Sequence, residues 1–312
     1  MRNLLALIVL LPTVAFAAED APPEPAAPPA KPPAALPAGI KVIRDVEYAK
    51  VNDLSLTMDI YLPSEPAGPM PAVVYFHGGG WRRGTKNNCQ PAIPLAAKGY
   101  VVASINYRLS QQAIFPAAIE DCKGAVRFLR ANAAKYFINP AAIVSMGDSA
   151  GGHLAALMGT SAGVKDLEGA TGGNLDQSSA VQGVIDYYGP IDFIAMIDQK
   201  SDIKRGEIGA PEVQFIGGRT LDHKDVAIKA SPLTYVTKDA PPFLIVHGEV
   251  DPRVPMEQAK AMLEAIKKVG GEATLHIVKN GSHGFSAAQN AALIPTLTEF
   301  LDRHFKKSTL PK

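Results

Sequence analysis

Apolar and polar positions alternate along residues 41–49 and 54–62, a pattern typical of half-buried antiparallel strands. A continuous apolar run follows at residues 72–76, as expected for a central strand of a parallel sheet. Further strands are predicted at residues 100–105, 142–146, 181–187, 243–246 and 274–278.

Helix-like segments separate these strands. The clearest is residues 116–134, in which Ile119, Val126 and Leu129 are spaced to cover one helical face. Other helices are predicted at residues 87–98, 150–159, 256–269 and 287–306. The succession predicts an α/β fold: a mostly parallel central sheet with helices on both faces. Ligand chemistry should then gather at the carboxyl ends of the strands.

Residues 190–230 interrupt this regularity. They show no helical or strand period and are rich in Asp, Lys, Gly and Ile. A long, poorly patterned insertion in a compact domain usually serves a function. We therefore expect this insertion to lie near the site.

The first residues differ from the rest of the chain. Arg2, the apolar run of residues 4–11 and the small residues at 15–17 predict a signal peptide over residues 1–18. A buried N-terminal helix is the alternative, but a Pro/Ala-rich stretch at residues 19–40 follows at once and predicts an extended linker. Residues 41–312 then form the single folded domain. With no cysteine near the cleavage point, we expect a secreted or periplasmic protein without a lipid anchor.

The charge balance narrows the class of partner. The chain has 31 Lys and Arg against 30 Asp and Glu, which predicts no nucleic-acid or anionic-membrane partner. Its two cysteines, Cys89 and Cys122, both fall in predicted helices. Secretion would permit a disulfide, and two buried free thiols are the alternative.

A serine stands between glycines at Gly147-Asp148-Ser149-Ala150-Gly151. This G-x-S-x-G pattern lies between a buried strand and a small-residue helix, the setting of a nucleophile elbow. Glycines at both ends remove side chains that would obstruct the turn. An ordinary strand–helix turn is the alternative.

A nucleophilic serine requires a base, and the chain has seven histidines. His283 lies in the loop Gly281–Phe285, between the last strand and the last helix, where flanking glycines permit close approach. His153 lies on the serine's own helix and cannot easily reach back to it. We therefore predict His283 as the base, with a plain surface-loop histidine as the alternative.

A third group must orient the histidine and stabilise its cation. Asp251 follows the strand at residues 243–246 and precedes His283, which gives the chain order of an α/β-hydrolase triad. Glu249 is a rival acid, and Asp186 and Asp192 are weaker rivals.

The stretch His77-Gly78-Gly79-Gly80-Trp81 ends the third predicted strand. We expect the N–H groups of Gly79 and Gly80, with that of Ala150, to form an oxyanion hole. A merely flexible glycine loop is the alternative. Trp81 is placed either to wall the acyl site or to pack in the core, and His77 is a second candidate for substrate contact.

Several segments of the chain resemble secreted bacterial esterases of the α/β-hydrolase superfamily, above all feruloyl- and acetylxylan-esterase-like carbohydrate esterases. These segments are HGGGW, INYRLS, FPAAIEDCKGAVRFLRANA, GDSAGGHLAAL, DYYGPID, HGEVDPRVP and GSHGF. HGGG with GDSAGG also resembles the hormone-sensitive-lipase branch, which usually carries a helical cap where this chain has the Pro/Ala linker.

The resemblance implies an α/β-hydrolase fold with Ser149, His283 and Asp251 as a triad. It implies an oxyanion hole from the HGGG loop and Ala150, and neither a metal nor an organic cofactor. Residues 190–230 would form a small lid. The sequence does not predict the oligomeric state.

The expected activity is that of a serine carboxylic-ester hydrolase. Its substrates would be acetyl, feruloyl or other short acyl esters of carbohydrates, including polysaccharide, or of small alcohols. An arylformamidase-like amide hydrolase would use the same residues. A non-catalytic binding protein on this fold normally loses triad residues, and here none is missing.

Overall fold

The computed structural model describes residues 36–306, so the predicted signal peptide and most of the predicted linker lie outside the described residues. Its eight strands form one sheet in the order β1-β2-β4-β3-β5-β6-β7-β8. β1 pairs antiparallel with β2, β2 pairs antiparallel with β4, and β3 to β8 are parallel. The strands are β1 (Ile40–Val51), β2 (Leu54–Pro63), β3 (Met70–Phe76), β4 (Val101–Ile105), β5 (Ile138–Asp148), β6 (Gly183–Tyr187), β7 (Phe243–Gly248) and β8 (Ala273–Val278).

Helices cover both faces of this sheet. They are α1 (Ala117–Ala131), α2 (Ala150–Thr160), α3 (Lys165–Glu168), α4 (Pro211–Ile216), α5 (Lys224–Ala230), α6 (Met256–Lys268) and α7 (Ala287–Phe305). Three short 3₁₀ segments lie at Ile93–Lys98, Ala195–Asp198 and Pro232–Tyr235. The predicted α/β architecture with a mostly parallel sheet is confirmed.

The central strand β3 shows why the sheet is buried on both sides. Successive side chains of a strand point to opposite faces. Val74 and Phe76 join one core cluster with residues of α1, α2 and α6, whereas Val73 and Tyr75 join a second cluster with α7. The continuous apolar run in the sequence is therefore the mark of a strand covered twice.

The helix predicted at residues 87–98 is wrong in its first half. Residues 87–92 form turns, and only Ile93–Lys98 is helical, as a 3₁₀ segment. Pro91 and Pro94 explain the difference, because each removes an N–H donor and disfavours an α-helix across it.

Both cysteines are buried as free thiols. Cys89 lies in these turns and belongs to one core cluster, while Cys122 lies on α1 and belongs to the other. The sheet stands between the two clusters, so the sulfur atoms cannot reach bonding distance. The alternative of two free thiols is the correct one.

The insertion at residues 190–230 is folded rather than irregular. It contains the 3₁₀ segment Ala195–Asp198 and the short helices α4 and α5. Phe193 and Phe215 are buried in the main core cluster. Helical segments of four to seven residues are too short to show a helical period, which explains why the sequence pattern predicts no helix here.

No helix among residues 36–306 is both long and apolar enough to cross a bilayer. Within the same residues, no group of three or more His, Cys, Asp or Glu side chains is placed to hold a metal ion.

Candidate active site

Ser149 occupies the sharp turn that joins β5 to α2. Its backbone has φ 53° and ψ −115°, a sparsely populated conformation for a non-glycine residue. The turn is held by a 2.8 Å hydrogen bond from Ser149 N–H to the carbonyl of Tyr187 on β6. Such strain persists only where the surroundings enforce it, and here it raises the hydroxyl above the sheet edge.

Close backbone approaches explain the glycines on either side of the serine. A Cβ on Gly151 would lie 1.9 Å from the carbonyl oxygen of Phe76, and one on Gly147 would lie 2.3 Å from the carbonyl oxygen of Gly151. Backbone atoms cannot swing aside as a flexible side chain can. Both positions therefore require the absence of a side chain.

The structure brings Ser149, His283 and Asp251 into one hydrogen-bonded chain. Ser149 Oγ lies 2.8 Å from His283 Nε2, and His283 Nδ1 lies 2.8 Å from Asp251 Oδ2. The side chain of His283 is 11% exposed and that of Asp251 is 1% exposed. The arrangement can remove the serine proton and hold the resulting imidazolium.

Asp251 is held by more than the histidine. Its Oδ1 accepts N–H hydrogen bonds from Arg253 at 2.8 Å and from Val254 at 3.0 Å. Burial disfavours its charge, but the hydrogen bond and charge of His283, with these two N–H donors, outweigh burial and lower the pKa of Asp251. The carboxylate is therefore ionised at neutral pH.

The rival acids are engaged elsewhere. Glu249 Oε2 accepts the Asn280 N–H at 2.9 Å. Asp192 Oδ1 accepts the N–H groups of Ile194 and Ala195, each at 3.0 Å. Asp186 Oδ1 accepts the Gly189 N–H at 2.8 Å. The structure places none of these carboxylates on His283.

The loop after β3 supplies backbone donors beside Ser149. Gly79 and Gly80 have φ 118° and φ 63°, and a Cβ on Gly79 would lie 2.1 Å from the carbonyl oxygen of Arg83. Within residues 36–306 neither N–H donates a backbone hydrogen bond. Ala150 begins α2, where the first N–H groups have no intrahelical acceptor. These are the donors that an oxyanion would require.

A cavity of about 590 Å³ opens over Ser149. Its walls come from the glycine loop (residues 77–81), the turn at Ser149, the loop of His283 and the insertion. The insertion contributes Pro190, Asp202, Ile203, Lys204, Arg205, Ile208, Gly209, Ala210 and Pro211. The expectation that the insertion lies near the site is confirmed.

The profile of the BD-FAE family matches residues 58–266. The chain belongs to the BD-FAE family. The match contains the elbow and Asp251 but ends before His283, whose place is known from the structure.

The chain is similar in sequence to several esterases. Esterase LipC of Mycobacterium tuberculosis is 32% identical over 250 residues, which cover 78% of this BD-FAE chain and 60% of LipC. The chain thus spans about three fifths of that relative's length.

Solved structures give the same picture of the fold. A truncated carbohydrate esterase from gut microbiota has TM-score 0.74 and 33% identity, covering 84% of this chain and 96% of that one. The butyrate-bound thermophilic esterase Est2 of Thermogutta terrifontis has TM-score 0.70 and 26% identity, covering 87% and 97%. With the sheet order above, these likenesses confirm the α/β-hydrolase fold.

Asp148, the residue before the serine, was missed by the sequence reasoning. Its Oδ1 accepts the Tyr75 hydroxyl at 2.6 Å and the Gly78 N–H at 2.9 Å. Its surroundings desolvate the carboxylate and raise the pKa of Asp148, although these two hydrogen bonds oppose the rise. The carboxylate therefore ties the glycine loop of this BD-FAE chain to the turn that holds Ser149. An acid at the variable position before the serine was the available signal.

We expect Asp148→Ala to lower kcat for an activated acetate ester by roughly 10- to 100-fold, because the loop donors lose their anchor. Tyr75→Phe is the matched control, since it removes one donor to Asp148 and leaves the Gly78 bond intact. It should change kcat less. Steady-state kinetics of both variants test this, and a kcat for Asp148→Ala within twofold of wild type would contradict it.

Trp81 packs mainly in the core. Its ring is stacked on Phe215 at 4.7 Å and meets Phe193 edge-on at 5.5 Å, and its indole N–H donates to His153 Nδ1 at 3.2 Å. The residue borders the cavity but is only 2% exposed. Of the two sequence-based alternatives, core packing describes the ring.

His77 does not lie where a substrate contact was expected. Its ring is 1% exposed, is stacked on Tyr107 at 4.3 Å, and does not line the cavity. Burial lowers the pKa of His77 to about 4, so the ring is neutral at pH 7. The ring therefore packs beneath the glycine loop instead of contacting a substrate. The sequence could not predict this, because the direction in which the side chain points depends on the residues packed around it.

Asp186 predicts a pH dependence of stability. Burial raises the pKa of Asp186 to about 7 from 3.8. Between these values the folded chain keeps a proton that the unfolded chain has lost. The free energy of unfolding should therefore fall as pH rises from about 4 to about 7, by roughly 4 kcal/mol, and then level off.

Asp186→Asn isolates this contribution, because the amide has no charge in either state and its oxygen can still accept the Gly189 N–H. Urea unfolding of wild type and variant across this pH range is the measurement. The variant should gain stability relative to wild type as pH rises. A constant difference would contradict the prediction.

Proposed function

We propose that the protein is a serine carboxylic-ester hydrolase. One observation carries the proposal: Ser149 Oγ is 2.8 Å from His283 Nε2, and that ring is 2.8 Å from Asp251, beneath an open cavity. This is the arrangement of an activated nucleophile with its base and its orienting acid.

In the proposed cycle Ser149 Oγ attacks the ester carbonyl carbon as His283 takes the hydroxyl proton. The N–H groups of Gly79, Gly80 and Ala150 stabilise the tetrahedral oxyanion. Collapse breaks the carbon–oxygen bond of the ester, and His283 gives its proton to the leaving alcohol. Water then loses a proton to His283 and attacks the acyl carbon; the bond between that carbon and Ser149 Oγ breaks, His283 returns the proton to Ser149 Oγ, and the acid leaves.

The proposed substrates are acetyl, feruloyl or other short acyl esters of carbohydrates or small alcohols. The names of the relatives support esters in general, and the gut-microbiota neighbour supports the carbohydrate alcohol. The butyrate in the Est2 structure supports a short acyl group. We also propose export, with a mature N-terminus after Ala17 or Ala18, which N-terminal sequencing of exported protein would check.

The reaction class is tested by comparing kcat/KM for p-nitrophenyl acetate with that for N-formylkynurenine. We expect the ester to be preferred by about 100-fold or more. A panel from acetate to octanoate esters, with methyl ferulate and acetylated xylan, then ranks acyl and alcohol parts. Preference for the formamide would identify an amide hydrolase instead. Turnover of neither would indicate a binding protein.

A further inference from the structure

Positive charge is concentrated around the mouth of the cavity over Ser149. Arg82, Arg83, Lys204 and Arg253 all line it, and all but the half-buried Arg82 are exposed. Among residues 36–306 none of these four side chains is within ion-pair distance of a carboxylate. We call them the cationic rim.

The fifth cation of the cavity has a structural role. Arg205 is buried, pairs with Glu212 at 2.9 Å and donates to the Arg253 carbonyl at 2.5 Å. Its charge is therefore already balanced inside the insertion. The cationic rim differs because no carboxylate among the described residues pairs with its charges, and Arg82 makes only a long hydrogen bond, 3.4 Å, to the neutral Gly209 carbonyl.

Acidic residues of the cavity do not balance the cationic rim. The lining has two acidic residues, Asp148 and Asp202, against the four cations of the rim. Asp148 already accepts hydrogen bonds from the Tyr75 hydroxyl and the Gly78 N–H, and the charge of Asp202 is exposed to solvent. The whole chain has nearly equal numbers of acidic and basic residues, 30 and 31. The excess is therefore local to the cavity and does not follow from overall composition.

Three separate segments bring the cationic rim together. Arg82 and Arg83 follow the glycine loop, Lys204 belongs to the insertion, and Arg253 stands two residues after Asp251. The backbone of Arg253 is fixed on both sides, since its N–H donates to Asp251 and its carbonyl accepts from Ser201 Oγ at 2.7 Å. A cleft lined by one sign of charge focuses the field on whatever binds there.

We propose that this cavity selects ester substrates that carry a carboxylate in the acyl or the alcohol part, such as an acylated acidic sugar. The inference rests on the proposed esterase function. Guanidinium groups are opposite in charge to carboxylates and can bind them with two parallel hydrogen bonds. A cavity of about 590 Å³ has room for a sugar-sized group beside the ester.

The test compares matched esters that differ in one charge. For the alcohol part these are 3-acetoxybenzoate and 3-acetoxybenzamide. For the acyl part they are mono-4-nitrophenyl adipate and its terminal amide. Near pH 7 and at low ionic strength, we expect kcat/KM to favour the anion by about tenfold or more in at least one pair. Salt at about 0.5 M should bring the ratio towards one, because it screens exposed charges.

Substitutions then test whether the cationic rim causes the preference for the anionic ester. The triple variant Arg83→Gln, Lys204→Gln, Arg253→Gln should reduce the anion-to-neutral ratio at least about fivefold. Lys238→Gln is the matched control, because Lys238 is exposed, pairs with Asp239 and lies outside the cavity. It should keep the wild-type ratio.

The outcomes separate the two proposals. Turnover of the neutral esters without preference for either anion, or a preference that survives in the triple variant, would overturn the carboxylate inference and leave the esterase proposal standing. Failure of the wild-type protein to hydrolyse any of the four esters would overturn both.

Discussion

We expect the substitution Ser149→Ala to lower kcat for p-nitrophenyl acetate by roughly 10³- to 10⁶-fold. The loss follows because the hydroxyl that His283 contacts at 2.8 Å is the attacking group in the proposed cycle. The residual rate would come from the oxyanion donors and from substrate binding alone. The melting temperature should change little, because the side-chain hydroxyl makes no other hydrogen bond among the described residues.

Ser145→Ala is the matched control for this loss. Ser145 lies on β5, the strand that leads to Ser149, is buried, and donates to the Ala155 carbonyl at 2.9 Å, away from the cavity. Its loss should cost about 1 kcal/mol of stability and leave kcat within a few-fold of wild type. Steady-state kinetics with active-site titration provide the comparison. A kcat for Ser149→Ala within tenfold of wild type would overturn the nucleophile assignment.

The second large effect concerns folding. We expect Gly151→Ala to lower the free energy of unfolding by about 3 kcal/mol or more, because its Cβ would meet the carbonyl oxygen of Phe76 at 1.9 Å. The end of β3 and the start of α2 would have to separate. A loss of this size is a large share of the total stability of a typical domain. Soluble yield and urea unfolding are the measurements.

Gly163→Ala provides the comparison for this substitution. Gly163 has φ 75° and no atom within 4 Å of its hypothetical Cβ, so the variant reports backbone strain without a clash. It should cost about 1–2 kcal/mol. An equal loss in both variants would show that the close approach at Gly151 relaxes, which contradicts the prediction.

The strands could be predicted because their burial requires a recognisable pattern of apolar residues in the sequence. A strand covered on both faces reads as an apolar run, as at Ala72–Phe76. Each of the six central strands predicted overlaps a strand of the sheet, although the predictions at 100–105 and 181–187 begin one and two residues before it. The prediction of a helix at residues 87–98 was wrong because it rested on the apolar residues there and gave too little weight to Pro91 and Pro94. No helix was predicted in the insertion because α4 and α5 are too short to show a helical period.

The partners of Ser149 could be predicted for a topological reason. The carboxyl ends of parallel strands meet at one edge, so residues following β5, β7 and β8 must lie close together. Chain order alone then favoured Asp251 and His283. Glu249 follows the same strand two residues before Asp251, and the choice between them depends on where each side chain points, which no sequence pattern encodes.

The roles of Asp148 and His77 depend on packing rather than order. Asp148 acts through Tyr75 and Gly78, which lie 73 and 70 residues away in sequence. His77 is buried because Tyr107 stacks on it. Contacts of this kind join segments that the sequence presents far apart, so local patterns cannot predict them.

The most direct test of the central claim is covalent labelling with a fluorophosphonate, followed by peptide mapping. An activated serine oxygen attacks phosphorus and expels fluoride, leaving a stable adduct. We expect one adduct per folded chain, on Ser149, formed much more slowly in His283→Ala because that variant lacks the base. An adduct on another residue, or hydrolysis of p-nitrophenyl acetate by protein that never labels at Ser149, would contradict it.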